Sequence, residues 1–189
     1  MTSAAFSRRE FITGSTVAAA LLLSGRSFAQ PTDPTDLSIA DAYPLIRAGR
    51  LSPVDLVDAY VEHIRRLDGW LNAFVTVTEE RAVARARELE TELKQGTWRG
   101  PLHGIPVALK DNIDTAGVLT TAASAVFADR IPDEDAEVVT RLTEAGAIIL
   151  GKLNMHEFAY GGTSAVSHFG PVRNPWDLAR IPGGSSGGS

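Results

Sequence analysis

Two short apolar runs on either side of a helical pattern constrain the fold of this chain more than any other feature. The runs are residues 107–109 (VAL) and residues 147–150 (AIIL), and residues 137–145 between them have apolar residues at helical spacing. Neither run alternates with polar residues, which is typical of strands buried on both faces of a sheet. The spacing therefore predicts a strand–helix–strand unit and a parallel or mixed sheet. The helix residues expected to face the sheet are Val138, Val139 and Leu142.

The part of the chain before these runs is predicted to be mostly helical. Ser38 can cap a helix to about Ala48, and Ser52 with Pro53 begins a second helix. Residues 73–77 resemble a short strand. Thr78 is expected to cap a long polar helix that extends to about Gln95 and is ended by Gly96. The predicted fold class is therefore α/β, with N-terminal helices followed by the first part of a mixed β-sheet flanked by helices.

Charge and composition exclude several classes of function. The chain has 189 residues, a net charge of −5 and no cysteine. An acidic surface disfavours nucleic acid as the main partner, because phosphates bind basic faces. The lack of cysteine excludes disulfides, thiolate nucleophiles and thiolate-bound metals. The four histidines have no metal-binding spacing, so we expect no metal site at them.

The first 29 residues have the features of an export signal. Arg8 and Arg9 precede a mildly apolar run over residues 11–23, and residues 27–29 (SFA) form a small-x-small cleavage pattern. The order SRREFI resembles a twin-arginine signal. We therefore predict a signal peptide over residues 1–29, a mature domain over residues 30–189, and a periplasmic or secreted protein carried by the twin-arginine export machinery. The alternative is an uncleaved N-terminal anchor.

One lysine follows each of the two apolar runs, and both lysines are candidates for a general base. Lys110 comes directly after the first run, where burial would favour the uncharged amine that can accept a proton. Lys152 follows Gly151 after the second run, so it is a second candidate. The alternative interpretation of Lys110 is a solvated lysine that ends a strand.

The C-terminal stretch PGGSSGGS admits two interpretations. Four glycines around two serines can form a tight turn that brings backbone N–H groups to one point. The same composition is also typical of a flexible linker. The preceding residues 169–177 (FGPVRNPWD) are aromatic and rich in proline, which disfavours the linker.

Four segments of the chain, taken together and in order, match a known pattern. They are GPLHGIPVALKDNIDTAG (100–117), TTAAS (120–124), VVTRLTEAGAIILGKLNMHEFAYG (138–161) and FGPVRNPWDLARIPGGSSGGS (169–189). These segments resemble the amidase signature family, whose members are serine hydrolases that cleave amide bonds with a Ser–cis-Ser–Lys triad. The resemblance extends from about Leu37 to Ser189.

The resemblance implies a role for particular residues. Lys110 would be the triad lysine, and Ser185 the bridging serine, preceded by a cis peptide bond. Tyr160 and Gly161 would lie beside the pocket for a small amide substrate. The residues that would support the loop are Gly183, Gly184, Ser186 and Gly187.

In this family the nucleophilic serine and the oxyanion hole come later than the bridging serine. The resemblance therefore implies that this chain is the N-terminal part of an amidase, truncated before the nucleophile and inactive alone. It also implies that the reaction needs no metal and no organic cofactor. We also expect such a partial sheet to expose apolar surface around Ile148 and Ile149.

Three other interpretations remain open. The chain could belong to the glutaminase (A) subunit of a tRNA-dependent amidotransferase, which acts in the cytoplasm and so conflicts with an export signal. It could belong to a non-catalytic binding protein on the same scaffold. It could also be complete, with the glycine–serine stretch as a linker. Aliphatic amides, aryl amides, peptide amides and small esters are all compatible substrates.

Overall fold

The computed structural model describes residues 33–189, so the predicted signal peptide lies outside the described residues. In chain order, the helices and strands are α1 (Ile39–Arg47), α2 (Pro53–Leu71), β1 (Phe74–Val77), α3 (Glu79–Lys94), β2 (Pro106–Lys110), α4 (Glu137–Glu144) and β3 (Ile148–Leu153). Short 3₁₀ turns lie at Pro34–Asp36, Ala125–Phe127 and Glu157–Ala159. Within residues 33–189, no helix has the length and apolar content needed to cross a membrane.

Side-chain caps begin the first two helices where the sequence predicts them. The Ser38 hydroxyl accepts a hydrogen bond from the Asp41 backbone N–H, and the Ser52 hydroxyl accepts one from the Val54 N–H. These bonds satisfy donors that a helix leaves unpaired at its N-terminus. Thr78 does not cap α3; its hydroxyl instead donates to the Ile149 carbonyl at 3.0 Å and so ties α3 to the sheet.

Across residues 33–189 the sheet has three strands, in the order β1-β3-β2. Strands β2 and β3 are parallel, with Lys110 opposite Leu153, and β1 is antiparallel to β3. Helix α4 connects the two parallel strands, which confirms the predicted strand–helix–strand unit. The predicted mixed α/β fold with flanking helices is confirmed as well.

Helices cover both faces of the sheet. Val57 of α2 and Leu89 of α3 pack with Ile148 on one face, and Val139 of α4 packs with Ile149 on the other. Ile148 and Ile149 are therefore buried, at 0 % and 7 % exposure. The expectation that they form exposed apolar surface is wrong, because the described helices already cover them.

The predicted inner face of α4 is only partly correct. Val139 is buried, and Leu142 packs against the same cluster, but Val138 is 48 % exposed. A helix of eight residues presents a narrow stripe to the sheet. Val138 is the second residue of this helix and lies outside the cluster that Val139 and Leu142 form with Ile149.

Candidate active site

Lys110 is the last residue of β2, at the carboxyl end of a parallel strand pair. Its neighbour Leu109 is buried in the core, whereas Lys110 is only partly buried. In open α/β sheets, ligands bind outside the carboxyl ends of the strands. Strand β2 ends at Lys110, one residue later than the sequence predicts, because Lys110 pairs with Leu153 of β3.

The fold brings Lys110 against Ser185, 75 residues later in the chain. Lys110 Nζ lies 2.6 Å from Ser185 Oγ. The peptide bond between Gly184 and Ser185 is cis, as the resemblance implies. The Ser185 carbonyl accepts a hydrogen bond of 3.0 Å from the backbone N–H of His156, just after β3. Both parallel strands therefore help to place this pair.

The glycine–serine stretch is packed against the domain. A Cβ atom on Gly184 would lie 2.8 Å from Ser164 Oγ, and one on Gly187 would overlap the same side chain. The Gly188 N–H also donates to the Asn154 carbonyl at 2.9 Å. Glycine is therefore required by close packing, and a solvated linker does not describe this segment.

Gly183 and Ser186 are the other two residues predicted to support the loop. Gly183 has a φ of +104°, a left-handed value that favours glycine. Ser186 is exposed, and its carbonyl accepts a hydrogen bond of 3.4 Å from the Ser189 N–H. Their support of the loop stays a prediction.

The predicted pocket residues Tyr160 and Gly161 belong to the segment after β3. Tyr160 is 90 % exposed, and Gly161 packs so closely on the His156 imidazole that a Cβ atom would overlap it. His156 is the residue whose N–H binds the Ser185 carbonyl. This segment therefore adjoins the Lys110–Ser185 pair, although the role of Tyr160 and Gly161 toward a substrate stays a prediction.

Lys152, the second candidate base, lies inside β3 and is completely buried. Its Nζ donates to the Ile113 carbonyl and to Thr120 Oγ1, and lies 3.9 Å from Asp111 Oδ1. Burial lowers the pKa of Lys152 to about 8, against the opposing effect of the Asp111 charge. These contacts are the only polar ones that the described residues give its amine, so they fit a structural lysine.

Asp111 is a buried residue that sequence reasoning did not select. The carboxylate is completely buried and accepts hydrogen bonds from the backbone N–H groups of Thr121 and Ala123. One signal could have revealed it: an acid directly after a strand-ending lysine, in a segment rich in small residues.

The described histidines and acids do not form a metal centre. In residues 33–189, no three histidine, aspartate or glutamate side chains converge as ligands. The buried His103 stacks on Trp98 with ring centres 5.0 Å apart, and its Nε2 lies 2.9 Å from the Leu89 carbonyl. That histidine is therefore a packed core residue.

An apolar groove of about 520 Å³ lies between α2 and the sheet. Tyr60, Leu67, Val107 and Leu150 line it, and neither Lys110 nor Ser185 does. His63 and Asp68 also line the groove, but it does not reach the contact between Lys110 and Ser185, where we place the candidate active site.

In this site a lysine amine contacts a serine hydroxyl on a mixed α/β fold. The same pairing of lysine with serine is found in one class of hydrolases. The comparison with protein families narrows this class. The Amidase family model matches residues 55–189, so the chain belongs to the amidase family.

Similar proteins fall within the same family. The glutamyl-tRNA(Gln) amidotransferase (A) subunit of Carboxydothermus hydrogenoformans is 46 % identical over 153 residues, which are 81 % of this chain and 32 % of the relative. The corresponding protein of Moorella thermoacetica is 48 % identical over 145 residues, 77 % of this chain and 30 % of that protein. The chain therefore spans about a third of the length of these relatives.

A solved structure has the same fold at similar identity. The peptide amidase of Stenotrophomonas maltophilia is 40 % identical with a TM-score of 0.77, covering 82 % of this chain and 33 % of that protein. The N-terminal helices and the mixed sheet are therefore those of a known amidase structure.

Proposed function

We propose that this chain is the N-terminal part of an amide hydrolase in which Lys110 acts as the base and Ser185 as the proton relay. The observation that carries the proposal is the 2.6 Å separation of Lys110 Nζ and Ser185 Oγ at the carboxyl end of β2. An uncharged amine at this distance can accept the proton of the serine hydroxyl.

The proposed reaction needs one further residue from beyond Ser189. A serine hydroxyl is a poor nucleophile until a base removes its proton. Lys110 would take a proton from Ser185, and Ser185 would take one from that later nucleophilic serine. The nucleophile would form an acyl-enzyme with the amide carbon, the proton would return to the departing amine or ammonia, and water would release the acid.

The family relatives favour a second candidate function. The amidotransferase proteins from two bacteria are 46 % and 48 % identical to this chain. In that case the amide hydrolysed would be glutamine, and the ammonia would pass to a partner protein. The twin-arginine signal predicted over residues 1–29 would argue against this candidate, because an exported protein leaves the compartment that contains tRNA.

A substrate panel tests the proposal and separates the two candidates. The complete reading frame that contains these 189 residues would be incubated with aliphatic, aryl and peptide amides and with glutamine. We expect acid and amine in equal amounts from at least one amide other than glutamine. The chain of 189 residues alone should release none, because the proposed nucleophile lies beyond it.

Other results of the panel would change the assignment. Hydrolysis of glutamine alone would favour the amidotransferase. No hydrolysis of any amide, together with measurable binding of one of them, would favour a non-catalytic binding protein and contradict the proposal.

We also propose that residues 1–29 direct export through the twin-arginine machinery. The paired Arg8 and Arg9 support this proposal. Replacing both, as Arg8→Lys with Arg9→Lys, should leave the precursor in the cytoplasm, measured by fractionation and immunoblotting. Export of the double variant at the normal level would contradict the twin-arginine signal.

A further inference from the structure

Asp111, next to Lys110, has a carboxylate whose two oxygens have different surroundings. Oδ2 accepts hydrogen bonds from Thr121 N at 3.0 Å, from the Thr121 hydroxyl and from Ala123 N at 3.1 Å. Oδ1 is buried with no hydrogen-bond partner among the described residues, and Lys152 Nζ lies 3.9 Å away. The charge of Lys152 is therefore the compensation available to this oxygen.

Lys152 could be replaced by an apolar residue if packing were its only role. It lies in a strand whose neighbours are buried, and a buried charge is unfavourable unless paired and hydrogen-bonded. Here the ammonium donates to the Ile113 carbonyl and to Thr120 Oγ1. Thr120 is the first residue of the turn over residues 120–124, in which the Asp111 carboxylate binds Thr121 and Ala123. Against the effect of burial, which lowers the pKa of Lys152, the Asp111 carboxylate, 3.9 Å from the amine, raises it and so favours the charged form that pairs with it.

The turn held by Asp111 has an unfavourable backbone conformation. Ala122 and Ala123 both have left-handed φ values, +53° and +56°, which residues other than glycine rarely adopt. The Ala122 N–H donates to the Asp111 carbonyl at 3.0 Å, so Asp111 holds the turn through its main chain and its side chain. Such a conformation persists only when its surroundings fix it.

From this turn, hydrogen bonds continue to the candidate active site. The Ala122 carbonyl accepts from the Phe158 N–H at 3.0 Å. Two residues earlier, the His156 N–H donates to the Ser185 carbonyl, also at 3.0 Å. A continuous set of contacts thus connects Lys152 and Asp111 to the residue that bonds Lys110.

We propose that Asp111 and Lys152 are positioning residues that fix the 120–124 turn and, through the 156–158 segment, hold Ser185 against Lys110. This inference rests on the proposed hydrolase function. Lys152 compensates the Asp111 charge, Asp111 holds the left-handed alanines, and the turn fixes the segment that binds Ser185. Neither residue exchanges a proton with the substrate.

The test uses Lys152→Met in the full-length protein, because methionine nearly matches the length of lysine and removes the charge. We expect kcat to fall roughly 10- to 100-fold with KM nearly unchanged, because small displacements of reacting groups are costly. Amide hydrogen exchange at Thr121 and Ala123 should accelerate about tenfold or more, and exchange at Leu89 in α3 should not change. Lys94→Met, at an exposed lysine of α3 that pairs with Glu90, is the matched control.

A double variant tests whether the two residues act as a pair. Adding Asp111→Asn to Lys152→Met removes the uncompensated carboxylate but keeps an oxygen that can accept from Thr121 and Ala123. We expect the double variant to regain part of the kcat lost in Lys152→Met, since coupled residues are not additive. If Lys152→Met does not fold, Lys152→Gln keeps a hydrogen-bond donor and still removes the charge.

Two results would overturn the proposal. One is a kcat within about twofold of wild type in the folded variants, even with a lower melting temperature, because that pattern indicates a purely structural role. The other is unchanged exchange at Thr121 and Ala123. If the wild-type protein hydrolyses no amide, the proposed function fails, and the exchange measurement alone still decides whether Lys152 holds the turn.

Discussion

Lys110→Ala in the full-length protein should lower kcat/KM for amide hydrolysis by about a thousandfold or more, since general-base catalysis alone contributes roughly 10²–10⁴. Lys110 Nζ is the amine that contacts the Ser185 hydroxyl, at 2.6 Å. Without this amine, Ser185 has no strong proton acceptor. The nucleophilic serine proposed to pass its proton to Ser185 then has none either. The measurement is steady-state hydrolysis of the best amide from the substrate panel.

The fold should survive this substitution. Lys110 is partly buried at the end of β2, and its main chain stays paired with β3. Circular dichroism and thermal unfolding of the variant should match those of wild type closely. Lys94→Ala, at an exposed lysine on α3, is the control and should retain full activity. Near-normal turnover by Lys110→Ala would remove lysine from the mechanism.

Ser185→Ala should reduce kcat by roughly 10²–10⁴ while KM stays within a few-fold of wild type, because it removes a proton relay. The hydroxyl faces Lys110, and the main chain of residue 185 is held separately by the His156 N–H. The loop should therefore keep its position when only the hydroxyl is lost. Substrate affinity would be measured by titration calorimetry with the inactive variant.

A control and a combined variant make this prediction more specific. Thr97→Ala removes an exposed hydroxyl in the loop after α3 and should leave turnover unchanged. Lys110→Ala combined with Ser185→Ala should be about as slow as the slower single variant, because residues that act as a unit are not additive. A change in affinity with an unchanged kcat would refute the relay role of Ser185.

Much of the architecture could be predicted from local sequence patterns. Ser38 and Ser52 cap their helices as expected, and the apolar runs around residues 107–109 and 147–150 form parallel strands. Thr78 and Val138 show the limit of such patterns. Thr78 bonds to Ile149 instead of capping α3, and Val138 faces solvent, because contacts between distant elements determine both outcomes.

The candidate site was only partly accessible from sequence. The resemblance selected Lys110 and Ser185, which the structure brings together. The position of Asp111 directly after a strand-ending lysine did not by itself distinguish it from other acids, and residue patterns left Lys152 as a possible base. The environment of both depends on Thr120, Thr121 and Ala123, which reach them through a loop with two left-handed alanines.

The sequence by itself determined the order of helices and strands, the crossover between parallel strands, and the position of a lysine at the end of one of them. These features follow from periodicity and capping, which act over a few residues. Only the tertiary structure decided that the amine of Lys110 meets a hydroxyl 75 residues away, and that Lys152 is buried against Asp111. Distances and burial of this kind depend on how separate elements pack, and a local pattern contains no information about that packing.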